Sequence, residues 1–136
     1  MPPADHATGM PDIVHTAEAP AAVGPYSQAT ITNGLVFTAG QIALSPTGED
    51  LTGQSVGGQA EQCLRNLERV LSAAGVGMED VAKTTVYLTD IDDYGAVNEV
   101  YGEYFDDDPP ARSAVAVAEL PKGAAVEIEA IASTES

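Results

Sequence analysis

Basic residues are scarce in this sequence: five Lys and Arg stand against 21 Asp and Glu, a formal net charge of −16. Phosphate recognition runs on Lys and Arg, so nucleic acid is excluded as a partner, and so are anionic membrane surfaces. Cysteine is limited to Cys63, which rules out an internal disulfide and points to the cytoplasm. Tryptophan is absent and aromatics make up 5% of the 136 residues, so the core must be aliphatic. No apolar run approaches the roughly 18 residues of a membrane span. The first residues, MPPADHATGMPD, lack a basic n-region and an apolar h-region, so no secretory signal is expected. His6 and His15 are isolated, and neither HExxH nor CxxC occurs. A metal site is not expected. Without GxxxxGK[ST] or a strand-linked GxGxxG, nucleotide cofactors have no support. Cys63 falls on an apolar helical face and reads as a buried, inert thiol.

What is present suits one domain with one core. Residues 1–11 read as a flexible tail and 12–136 as a single domain. The acids are scattered rather than gathered in a tail, with almost no Lys among them. Such a surface reads as salt-adapted, because about 1 M salt shortens the Debye length to ~3 Å and screens the self-repulsion.

Residues 12–16 suggest a short first strand, followed by a loop broken by Pro20, Gly24 and Pro25. Segments 29–32 and 35–39 flank Asn33-Gly34, the pair that favours a type I′ hairpin, and 42–44 reads as an extension of the second strand. Residues 55–74 form the clearest helix. Ala60, Cys63, Leu64, Leu67, Val70 and Leu71 make its apolar face, with Gln62, Arg65, Asn66, Glu68 and Arg69 on the polar one. A strand over 82–88 and a helix over 93–105 follow, the helix stopped by Pro109-Pro110. Residues 111–132 read as a closing hairpin turned at Pro121-Lys122-Gly123. The order gives an α+β domain with a mixed sheet of about six strands and two helices on one face. The last two strands are apolar on both faces, which calls for a cover that a second copy of the chain would provide.

Arg112 opens a strand just after the proline break. Its guanidinium fork could bind a carboxylate or simply pair with a surface acid, and spacing does not decide between them. Glu127 and Glu129 share one strand face, which fits a solvated face or a reactive one. Tyr26 follows Gly24-Pro25, and Asn98 lies in the second helix.

Five segments together carry a resemblance: GPYSQA at 24–29, FTAGQI at 37–42, KTTVYLTD at 83–90, VNEVY at 97–101 and PARSAVAVAELPKGAAVEIEAIA at 110–132. In order and spacing they are similar to the Rid (YjgF-like) family of 2-iminobutanoate/2-iminopropanoate (enamine/imine) deaminases, over about residues 12–132. The resemblance implies a chorismate-mutase-like fold and a homotrimeric barrel with three pockets between subunits. It implies hydrolysis of 2-aminoacrylate and related 2-imino acids to 2-keto acids and ammonia, with no metal or cofactor. It further implies roles. Arg112 would bind the substrate carboxylate and Glu127 would orient water. Tyr26, Gly40 and Asn98 would contact the substrate. Many members carry Cys where this chain has Ala114, which removes any thiol contribution here. The competing reading is a non-enzymatic trimer that binds small carboxylates or regulates. A nucleolytic or translation-inhibiting role fits poorly with the charge.

Overall fold

A computed structural model describes residues 11–105 and 107–135. The expected tail lies outside the described residues except for Pro11. Six strands form one sheet: β1 (Asp12–Val14), β2 (Ala29–Thr32), β3 (Leu35–Thr38), β4 (Val81–Leu88), β5 (Ala111–Ala116) and β6 (Val126–Ser133). Two helices, α1 (Val56–Ala73) and α2 (Tyr94–Tyr104), follow β3 and β4 respectively.

Local chemistry sets the boundaries. Asn33 and Gly34 take φ of 51° and 76°, the left-handed pair a type I′ turn needs, and β2 pairs β3 directly across it. Ser55 caps α1, its hydroxyl accepting from Gly58 N at 3.1 Å. Gly75, at φ 85°, ends the helix, and the Val76 amide returns to Leu71 O at 3.0 Å.

The sheet order is β1-β2-β3-β6-β4-β5. Every neighbouring pair is antiparallel except β4 and β5, which run parallel through the α2 crossover. β3-α1-β4 and β4-α2-β5 both step the same way across the sheet. Right-handed crossovers that advance in one direction place their helices on one face. The expected α+β sheet with two helices on one face is therefore present.

The closing hairpin is not. β5 pairs only with β4, and β6 passes over it to lie between β3 and β4. Two adjacent strand patterns around a tight turn look alike whether they pair or hop a neighbour. Here the α2 crossover claims the edge of β4 for β5, and the remaining central slot takes β6. The extension at 42–44 is also absent as a strand: Gln41 makes a single bridge to Ile128, and Leu44 one to Asp50.

The core lies between the sheet and α1. Cys63, Leu64, Leu67, Val70 and Leu71 of α1 pack with Val36, Val86, Leu88, Val126 and Ile128, all essentially inaccessible. Truncating one such Leu to Ala would cost about 2–5 kcal/mol. β6 alternates strictly: Val126, Ile128, Ala130 and Ala132 face the core, while Glu127, Glu129 and Ile131 face the helix-free side. Burial pushes the Cys63 thiol far up, which keeps it protonated and unreactive.

The polar face read for α1 needs correction. Gln62 is 9% exposed and Asn66 is fully buried. Gln62 Nε2 donates to Asn66 Oδ1 at 2.9 Å, and Asn66 Nδ2 donates to Leu44 O at 3.0 Å and Ile42 O at 3.4 Å. The loop after β3 covers this flank of α1, so its carbonyls need donors from the helix.

Candidate functional site

The helix-free face of the sheet carries a cleft of about 800 Å³. Tyr26, Phe37, Gly40, Ile42, Lys122 and Glu127 are among its walls. A backbone irregularity builds its centre. Phe37 pairs Ile131, and Gln41 bridges Ile128. Residues 38–40 on β3 and its continuation therefore face only 129–130 on β6, one residue more than the partner has. This bulge lifts Gly40 out of the ladder and toward the neighbouring Glu127. Thr38 closes the gap, its hydroxyl accepting from Ala130 N at 3.0 Å.

Gly40 leaves room for the glutamate opposite it. A Cβ at this position would overlap Oε2 of Glu127 and lie 2.8 Å from its Cδ. The carboxylate thus rests against bare backbone, and any larger residue at 40 would push the Glu127 side chain out of this position. Burial pushes the Glu127 carboxyl up from its ordinary range, and the charge of Glu129 adds to the shift. Glu129, on the same face, instead accepts a hydrogen bond from the Tyr87 hydroxyl at 3.1 Å. Tyr26 stands at the rim, 54% exposed, its hydroxyl accepting from Val23 N at 3.3 Å.

Arg112 and Asn98 are elsewhere. Arg112 pairs in register with Thr84, a residue of the helix face, so its side chain lies on that face too. Its guanidinium carbon sits 5.0 Å from the Tyr94 ring centroid and 4.6 Å from that of Tyr101. Nη2 donates to the Tyr94 hydroxyl at 2.5 Å, and the Tyr101 hydroxyl lies 2.7 Å from that of Thr84. Tyr94, Asn98 and Tyr101 recur at i, i+4 and i+7, one stripe of α2. Among the described residues, Arg112 pairs with no carboxylate; the ion pair there is Arg65 with Glu61. Ala114, two residues on, packs against the core on the same side as Arg112.

The five residues singled out from the sequence thus form two clusters rather than one. Tyr26, Gly40 and Glu127 share the cleft, while Arg112 and Asn98 share the edge formed by β5 and α2. Thr84 stands opposite Ala130, three residues along β6 from Glu127. Strand geometry then separates Arg112 from Glu127 by ~10 Å along the strands and ~10 Å across them, on opposite faces. Within one copy, no small molecule can touch both residues. Tyr94 was missed, although its place four residues before Asn98 marks the same helical stripe. Lys122 was read only as a turn residue, yet it lines the cleft, at φ 58°.

Among the described residues, no group of three or more His, Cys, Asp and Glu is placed to hold a metal ion, and no helix is long and apolar enough to cross a membrane.

The chain is similar to known proteins in sequence and in fold. The chain is 55% identical to a RutC family protein of Synechocystis over 122 residues, 88% of this chain and 94% of that protein. It is 46% identical to the human 2-iminobutanoate/2-iminopropanoate deaminase over 120 residues, 88% of each chain. The structure of E. coli TdcF with bound serine superposes with a TM-score of 0.84 at 44% identity, covering 90% of this chain and 98% of that one. A model of the endoribonuclease L-PSP family spans residues 16–134, and the chain accordingly belongs to that family, the one in which the Rid (YjgF-like) proteins fall.

Proposed function

We propose that this protein is a cytoplasmic imine deaminase that works as a homotrimer. It would hydrolyse 2-aminoacrylate and related 2-imino acids to 2-keto acids and ammonia. The observation that carries this reading is the division of the site. A carboxyl with a raised pKa rests on bare backbone in an apolar cleft. An arginine without a carboxylate partner among the described residues stands on the edge strand. Each is half of a machine for a small anionic substrate. A neighbouring copy presenting its β5 edge to the cleft would join the halves. That edge is open: Val115, on the face opposite Arg112, is 41% exposed. Pairing of this kind would create three equivalent sites in a closed ring.

The chemistry follows from the parts. Aminoacrylate tautomerises to an iminium whose carbon is already electrophilic, so neither metal nor cofactor is required. Arg112 binds the substrate carboxylate in a bidentate fork, and Asn98 and Tyr26 bound the substrate. Glu127 accepts a proton from water as oxygen bonds to the iminium carbon, giving a carbinolamine. The proton then passes to the amine nitrogen, Glu127 takes the hydroxyl proton as the C–N bond breaks and the carbonyl forms, and keto acid and ammonia leave. A carboxyl with an elevated pKa suits this exchange, because its carboxylate is a stronger base toward water than an ordinary one and its acid form still donates to nitrogen. The names of the human deaminase and of serine-bound TdcF support the same substrate class.

The test is a coupled assay in which a dehydratase generates the imine. Arg112→Ala is expected to lose acceleration of 2-iminopropanoate hydrolysis by at least about 100-fold, with the oligomer intact by sedimentation. Full activity in that variant sinks the assignment. If the protein instead only binds small carboxylates, Glu127→Gln and wild type will bind pyruvate alike and neither will speed hydrolysis.

A further inference from the structure

The geometry points to Tyr94 as a positioning residue for Arg112, holding the guanidinium by its hydroxyl so that the charge stays free for the substrate. This rests on the reading that Arg112 binds the substrate carboxylate.

With 21 acids against five bases, an arginine in this chain has carboxylates available almost anywhere. A carboxylate partner would fill the fork edge and cancel the charge, the two properties an anion site needs. Arg112 is held by neutral groups instead. Its guanidinium lies within cation–π distance of the rings of Tyr94 and Tyr101, at 5.0 and 4.6 Å. These contacts fix where the group sits but leave it free to spin in its plane. The 2.5 Å bond from Nη2 to the Tyr94 hydroxyl removes that freedom. One of five N–H donors is thereby committed, and the others stay open to a ligand.

The two tyrosines differ in what they can contribute. The Tyr101 hydroxyl is already engaged with Thr84 at 2.7 Å, and the residue is buried. It serves as a fixed platform. Tyr94 is 38% exposed, sits at the first turn of α2 and turns its hydroxyl to the arginine. A fork fixed before binding loses less rotamer freedom when the anion arrives, so the gain is in affinity.

Tyr94→Phe keeps the ring and removes the hydroxyl. For 2-iminopropanoate, the expected result is a KM raised about fivefold with kcat within about twofold of wild type, since the contact serves bound substrate and transition state alike. A lowered kcat at unchanged KM would mean that Tyr94 only supports the fold, and overturns the inference. So does a variant indistinguishable from wild type. Arg112→Ala, assayed beside it, separates the two levels. If Arg112→Ala is inactive while Tyr94→Phe behaves as wild type, only the positioning role fails. If Arg112→Ala is itself fully active, the carboxylate-binding role of Arg112 fails and the Tyr94 role with it.

Discussion

Glu127 and Glu129 show how much one position on a strand decides. They share a face, and nothing in their spacing tells them apart. The structure separates them by their neighbours: Glu127 lies against Gly40, and Glu129 is tied to Tyr87. The raised pKa of Glu127 has a thermodynamic consequence. The native chain holds this proton to higher pH than the unfolded chain does, whose carboxyl keeps the ordinary value of 4.5. Stability therefore falls as pH rises from 4.5 through the raised native value. Glu127→Gln keeps the shape and removes the charge. It is expected to match wild-type stability at about pH 4, exceed it at about pH 7, and lose turnover, as measured by denaturant unfolding beside the coupled assay. A variant no more stable than wild type at neutral pH would show that the carboxylate is not destabilised by its surroundings.

The elements were legible wherever a local pattern had one physical meaning. Asn33-Gly34 fixed a hairpin, the periodicity of 55–74 a helix, and the two prolines at 109–110 a stop. Legibility ended where the partner was remote. The strands at 111–116 and 126–133 have a turn between them, yet the choice between pairing and hopping over β4 is made by the α2 crossover. The polar side of α1 failed for a similar reason: Asn66 looks like a solvated residue until the loop beyond β3 folds over it. That loop begins at the cleft, since Gly40, Gln41, Ile42 and Leu44 all line it. Asn66→Ala would leave the Leu44 carbonyl without its side-chain donor, while Ile42 O keeps the Leu44 amide at 2.8 Å. A loss of about 1–3 kcal/mol is expected in denaturant unfolding, while Glu68→Ala, on the exposed side, stays within ~0.5 kcal/mol. Equal effects from the two would contradict the anchoring role. Of the site, residue types and order were readable from the family resemblance. The split of Arg112 and Glu127 between faces was not, because it depends on the register of three strands.

For the whole molecule, a charge of −16 on 136 residues is the dominant long-range term. We read it as salt adaptation, in the halophilic sense. Raising KCl from about 0.1 M to about 1 M shortens the Debye length from ~10 to ~3 Å, so the melting temperature is expected to climb across that range. A flat or falling melting temperature would contradict the reading. An anionic substrate gains no steering from such a field, which leaves capture to Arg112. The same scale holds the central claim, that Arg112 of one copy meets Glu127 of another. Mixing tests it directly. Arg112→Ala and Glu127→Gln chains, each inactive alone, are unfolded together in equal amounts and refolded. In a random mixture, about three quarters of trimers contain both kinds of chain, and each of these has one intact site of three. The account predicts recovery of about one quarter of wild-type activity; a mixture as inactive as its components, with mixed trimers shown to form, would contradict it.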